Sequence, residues 1–166
     1  MPNHSIAWTD GSVKDHLAGA GFFIEQKSQP IKLSLRLQNG SSIWTAEWWA
    51  IFCCLQLCLT FIEPHSTIIV FTDSLSNVLR WKSLQSTCRA VIESNLVQLN
   101  DQLAAHHISI IIHWIPSHSN IHGNDIADEL AKAALVKSDI DIIPFPSPSR
   151  QIQMFNKSIR KRYCQL

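Results

Sequence analysis

The sequence predicts an α/β domain, a single mixed sheet with helices on its faces. Three observations lead there. Two strand-like runs, "GAGFFIEQ" (19–26) and "IKLSLRLQ" (31–38), stand close together as a hairpin pair. Strand-like and helix-like segments alternate after them. The uncharged run "WWAIFCCLQLCLTFI" (48–62) includes Gln56 and Thr60 and falls short of the about 20 apolar residues of a membrane span, so it reads as a buried helix.

Each element has its own signal. "SIAWTD" (5–10) reads as a buried strand. In 31–38, Ile31, Leu33, Leu35 and Leu37 alternate with Lys32, Ser34, Arg36 and Gln38, the period of a half-buried strand. Residues 45–62 are apolar nearly all round, as a buried helix is, and Glu63-Pro64 predicts its end. "TIIVFTD" (67–73) is a β-branched central strand. A helix over 74–84 has Asp73 or Ser74 available as its cap. A further helix over 88–106, a strand over 108–115 and a closing helix over 123–136 complete the order β-β-β-α-β-α-α-β-α. "PFPSPS" (144–149) reads as a proline-rich linker, and the last segment looks basic and helical near 150–162. The expected organisation is therefore a body over 1–136 and an extension over 137–166.

Composition sets the class. With 166 residues and 46% hydrophobic content, the chain is large enough for one domain with a real core. The net charge of +1 hides an asymmetry. Residues 1–136 carry 8 Lys and Arg against 11 Asp and Glu, whereas 137–166 carry 6 against 2. Five cysteines, three of them in one apolar run, with no preceding signal peptide, fit an intracellular setting (cytoplasm or nucleus) rather than a disulfide framework. Cys54 and Cys58 share a helix face but have no Cys-x-x-Cys or histidine companion, so core packing is expected.

Four acidic positions carry the functional question. Asp10, in "WTDGS" (8–12), is either a turn former or a carboxylate held at a strand end to bind something. Asp73 ends the fourth strand, and its competing reading is a helix N-cap. Sites in such sheets form at the carboxyl ends of strands, so the two belong together. Glu47 is the only charged residue in 43–62. A first-turn position would let the helix dipole stabilise it, but Trp44, Trp48 and Trp49 stand around it, where a lone carboxylate is costly. In the last helix, Ile126, Ala127, Leu130, Ala131 and Ala134 form the apolar stripe. Asp125 falls opposite that stripe, while Asp128 and Glu129 flank it. Crowded carboxylates without local cations repel one another, and a hard divalent cation relieves that. Two such ions about 4 Å apart can clamp the attacking and leaving oxygens of a phosphodiester.

The sequence resembles the ribonuclease H family, type 1-like. "TDGS" with Asp10, "TAEWWAI" with Glu47, "FTDS" with Asp73, and "WIPSHSNIHGNDIADELAKAA" with His118 and Asp128 occur in family order over residues 5–136. The "SHSNIHGNDIADELA" stretch is similar to the domain downstream of the reverse transcriptase in non-LTR retrotransposons. The resemblance implies an RNase H-like fold, with an antiparallel first three strands and parallel strands after them, five in all. It implies cleavage of the RNA strand of an RNA–DNA hybrid. It implies that Asp10, Glu47, Asp73 and Asp128 ligate two Mg²⁺ ions, with Mn²⁺ as a substitute, and that His118 assists proton transfer or product release. Gly11, Ser12, Ser74 and Asn124 would lie near the substrate. A reverse transcriptase in the same polyprotein is the implied partner, and no membrane is.

The chain also departs from the family. His122 stands where proline is common in this branch and is expected to be a loop residue. The 88–106 segment lacks a dense basic protrusion, and Arg80, Trp81, Lys82 and Arg89 are the nearest substitutes. Trp8 and Trp114 are expected in the core, and His113 as a satisfied sheet residue. The competing reading is a catalytically weak or inactive module that binds nucleic acid or a protein partner. Such modules usually lose a carboxylate, and here all four positions are filled.

Overall fold

A computed structural model describes residues 4–26, 29–83, 91–117 and 119–142, with the side chains of 83 and 91–97 left aside. Three strands open the chain: β1 (His4–Lys14), β2 (Leu17–Glu25) and β3 (Ile31–Leu37). Helix α1 (Ile43–Cys58), strand β4 (Thr67–Thr72), and helices α2 (Leu75–Ser83) and α3 (Val91–Ala105) follow. Strand β5 (Ser109–Trp114) and helix α4 (His122–Leu135) close the order. The sheet runs β3-β2-β1-β4-β5. β2 is antiparallel to β1 and β3, while β4 is parallel to β1 and β5. The predicted α/β class and element order hold.

Alternation along the strands sorts side chains onto two layers. Ala7, Phe22, Ile24, Leu35, Ile68 and Val70 pack with the long apolar face of α1 and with Leu99 and Leu103 of α3. Trp8, Phe23, Ile115 and Ala127 make a smaller core under α4. On that second face the register pairs Trp8 with both Phe23 and Phe71, and Phe71 with His113. Their rings form a row across the sheet, with centroids 5.5, 5.7 and 5.7 Å apart. Cys53, Cys54 and Cys58 are free thiols buried in α1.

Several boundaries move. β1 continues to Lys14, four residues past the predicted end, because the hairpin closes only at Asp15 and His16. Both of these have positive φ, 49° and 64°. Helix α1 begins earlier, at Ile43, with Ser42 Oγ accepting from the Thr45 N–H at 3.1 Å. It ends at Cys58 rather than at Glu63-Pro64. There Thr60 Oγ1 donates to the Leu57 carbonyl at 2.7 Å, and a tight turn replaces further helix. His122 is not a loop residue but the first residue of α4, and it is exposed. Residues 137–142 of the expected extension lie against β3, where Ile142 bridges Leu37. The proline-rich linker and the basic segment fall outside the described residues. Among the described residues, no helix is long and apolar enough to cross a membrane.

Candidate active site

Asp10 lies within β1, opposite Gly21 of β2, and not in a turn. The turn-former reading fails for that reason. Thr9 is level with Thr72 in the parallel β1–β4 pair, so Asp10 and Asp73 are the next residues on adjacent chains. Alternation puts both on the α4 face, in line with Trp8 and Phe71. Asp10 is 8% exposed, and its Oδ1 accepts the Gly11 N–H at 2.7 Å. Burial pushes its carboxyl up to about 8. Asp73, Asp128 and Glu47 push it in the same direction, and only the Gly11 N–H opposes them. Asp10 thus feels carboxylates supplied by three other parts of the chain.

Glu47 stands in the second turn of α1, beyond the reach of the helix dipole argument. Gly11 sets its position. A Cβ on Gly11 would lie 2.5 Å from the Glu47 nitrogen and 2.9 Å from the Ala46 carbonyl carbon, so only glycine lets α1 sit this close to β1. Burial raises the Glu47 carboxyl, a hydrogen bond from Ser74 lowers it, and Asp73 raises it again. Ser74 Oγ donates to Glu47 Oε2. Its hydroxyl is therefore turned to the carboxylate. Asn77 Nδ2 lies 3.3 Å from the same oxygen and 2.9 Å from Ser74 Oγ.

Asn77 was missed by sequence reasoning. It is fully buried, and it stands three residues after Ser74, which places both on one helix face. A polar residue beside Val78 on that face was the available signal. Asn77→Ala is expected to loosen Glu47, lowering kcat about tenfold with KM little changed. Asn77→Ser should restore part of the loss, because a hydroxyl can still donate. An unchanged kcat in the alanine variant would remove Asn77 from the site.

Asp128 projects from α4 on the edge of its apolar stripe, half-buried, whereas Asp125 and Glu129 are exposed. The expectation of no local cation is wrong here: Lys132, one helical turn on, places Nζ 2.6 Å from Asp128 Oδ2. Trp114 is also not a core residue. It is 46% exposed, and its indole N–H donates to the Asp73 carbonyl at 3.1 Å, holding the end of β4. His113 is exposed against Phe71. Ser12 is half-buried opposite Gly19, and Asn124 is buried at the start of α4 with no described partner for Oδ1. His118 lies outside the described residues.

The donor chemistry fits hard divalent cations. All four groups offer carboxylate oxygens, and Asp10 is protonated near neutrality unless positive charge is brought to it. Among the described residues, no three His, Cys, Asp or Glu side chains come together closely enough to hold a metal ion by themselves. Mg²⁺ sites built on one or two carboxylates, with waters and substrate phosphates filling the rest, do not need such a group.

The sequence model of the RNase H family matches residues 2–136. No curated protein matches the chain. Among solved structures, RNase H1 from the halophilic archaeon Halobacterium salinarum NRC-1 is 19% identical, with a TM-score of 0.59 over 80% of this chain and 98% of that one. LC11-RNase H1 in complex with RNA/DNA hybrid is 16% identical, with a TM-score of 0.58 over 79% and 99%. Both share the fold. The chain belongs to the RNase H family. It is a ribonuclease H, an enzyme that hydrolyses phosphodiester bonds.

Proposed function

We propose that the chain hydrolyses the RNA strand of RNA–DNA hybrids, with two Mg²⁺ ions held by Asp10, Glu47, Asp73 and Asp128. The observation that carries this reading is placement: Asp10 and Asp73 follow the paired Thr9 and Thr72 on adjacent chains, and Glu47 is seated against Gly11 beside them. Bound there, such ions lower the pKa of an attacking water and stabilise the leaving 3′ oxygen.

The chain's own residues do the rest. Ser74 and Asn77 hold Glu47 in one orientation, and Trp114 fixes the backbone that carries Asp73. Gly11, Ser12, Ser74 and Asn124 would lie along the path of the incoming strand. His118, between β5 and α4 in the sequence, moves a proton at the leaving oxygen or hastens product release. The 2′-OH tells the RNA strand from the DNA strand. The same reading makes residues 1–136 the catalytic domain of a retrotransposon polyprotein, acting beside a reverse transcriptase in an intracellular setting.

The test is cleavage of a strand-labelled hybrid with Mg²⁺, with Mn²⁺ and with chelator, beside an all-DNA duplex of the same sequence. Metal-dependent cutting confined to the RNA strand is expected. A folded chain that cuts neither strand with either metal at low salt would show a binding module in place of a nuclease.

A further inference from the structure

The two edges of the sheet are finished differently. β3 is covered: Asp141 Oδ2 accepts the Arg36 N–H at 2.9 Å, and Ile142 bridges Leu37 in parallel. β5, at the other end of the order, has β4 as its one neighbour among the described strands. The Ser109 N–H donates to the Ser66 carbonyl at 3.0 Å, and the Ile115 N–H to the Thr72 carbonyl at 2.9 Å. Alternation in a parallel pair then turns the backbone groups of Ser109, Ile111 and His113 inward to β4, and those of Ile110, Ile112 and Trp114 outward. Among the described residues, nothing bonds those outward groups.

The strand carries none of the features that keep an edge from pairing. "SIIIHW" (109–114) has no lysine, no other charged group, no proline and no glycine, and it is β-branched through its middle. Ile111 is 42% exposed. It shares a sheet face with His113, whose ring lies against Phe71. On that face α4 packs on β1, β2 and β3, and Ile111 and His113 stay exposed beside it.

Such an edge calls for a neutral extended strand. A charged segment would set its charges against isoleucines and find no counter-charge in β5. β5 itself meets the need, and its register is self-complementary. Set antiparallel about a two-fold axis at Ile112, two copies place Ile112 opposite Ile112, Ile110 opposite Trp114 and Ile111 opposite His113. All the outward groups then pair, with about six hydrogen bonds over roughly 20 Å. The flanking helices agree in charge. α2 begins at the carboxyl end of β4 and exposes Arg80 and Lys82, with no acidic residue. α3 ends at the amino end of β5 and exposes Asp101, with no basic residue. Both helices lie on the α1 face, where Trp81 and Leu99 join one core. Reversing β5 therefore brings the basic α2 of one copy toward the acidic α3 of the other.

We propose that β5 is an association edge, at which two copies of this chain join β5 to β5, antiparallel, into one continuous sheet. Pairing needs neither metal nor nucleic acid. One short strand is a small contact, so association at micromolar concentration is expected.

The test follows the mass of the full chain by sedimentation from about 1 to about 300 µM in chelator, with amide exchange read by NMR at both ends of the range. A monomer–dimer equilibrium is expected. The amides of Ile110, Ile112 and Trp114 should exchange about tenfold more slowly in the concentrated sample, while those of Ile111 and His113, already bonded to β4, should change little. Ile111→Lys should weaken association about tenfold or more, because it sets a charge on each of the paired strands. His113→Lys, at an exposed position, should do the same and guards against a folding defect in the first variant. A chain that stays monomeric at about 300 µM overturns the proposal. So does a dimer that both lysine variants leave intact, or one whose outward β5 amides exchange at the monomer rate, because another surface then holds it. A monomer in which these amides are slow at every concentration overturns it too, because the edge is then covered by the chain's own residues.

Discussion

Asp10→Asn is expected to make the metal-free protein more stable and to abolish its cutting of hybrid RNA. The two effects share one cause. In the folded chain the Asp10 carboxyl is raised from 3.8 to about 8, first by burial and then by Asp73, with smaller contributions from Asp128 and Glu47. Between those values the folded state keeps a proton that the unfolded state has released. Stability therefore falls as pH rises through that window, most of it lost by pH 8. Asparagine cannot ionise, so the variant should not show this fall. Without metal at pH 8, the gain should be on the order of 2–4 kcal/mol, or about 5–10 °C in Tm. At pH 5 the difference should be small. Saturating Mg²⁺ should stabilise the parent chain more than the variant, because it relieves a repulsion that the variant lacks. Cleavage should fall about a thousandfold or more. Thermal melts at both pH values, with chelator and with Mg²⁺, measure the first effect, and initial rates measure the second. A variant less stable than the parent at pH 8 without metal would mean that Asp10 is not under carboxylate pressure.

Gly21→Ala should unseat α4. A Cβ at Gly21 would overlap the Ala127 carbonyl oxygen and the Ala131 nitrogen and lie 2.8 Å from the Leu130 carbonyl carbon. All three are backbone atoms, so no side chain can swing aside and the helix itself must move. The cost should be about 3 kcal/mol or more, roughly 6–12 °C in Tm. Activity should fall further than stability does, since Asp128 rides on the displaced helix. Gly40→Ala is the matched control. It has φ of +81° and nothing within 4 Å of a Cβ, so it carries only the left-handed penalty of about 1–2 kcal/mol. Its kcat should stay at the parent value. If Gly21→Ala keeps full kcat at a temperature where it is folded, the seating of α4 does not govern the site.

Much of this architecture is legible in the residues, and the failures have physical reasons. Periodicity found every element, because alternation in 31–38 and the apolar stripe of α4 are strong local signals. It misplaced the end of β1 because the hairpin turns at Asp15-His16, which carries no glycine to mark positive φ. That single error made Asp10 look like a turn residue. The end of α1 was misplaced because a Thr60 hydroxyl, not the following proline, diverts the chain. At the site, the mutual pressure on Asp10 arises from elements that the sequence could order. The Lys132–Asp128 pair was readable at one-turn spacing and was overlooked. Trp114 could not be assigned from composition, since a tryptophan ending a buried-looking strand gives no sign that its ring faces outward. The bonds of Ser74 and Asn77 to Glu47 became visible only when α2 was laid against α1.

The helix that brings Asp128 is also the last regular element of the described chain. Asp10, Glu47 and Asp73 are all translated before it, and nothing in β1, α1 or β4 can stand in for its carboxylate. A nascent chain on the ribosome can assemble the sheet and still hold only three of the four acids. The complete cluster exists only after residue 135 has emerged and α4 has settled against Gly21 of β2. On the function proposed above, an unfinished copy, or one cut short by a premature stop, would lack one of the four carboxylates that hold the metal ions.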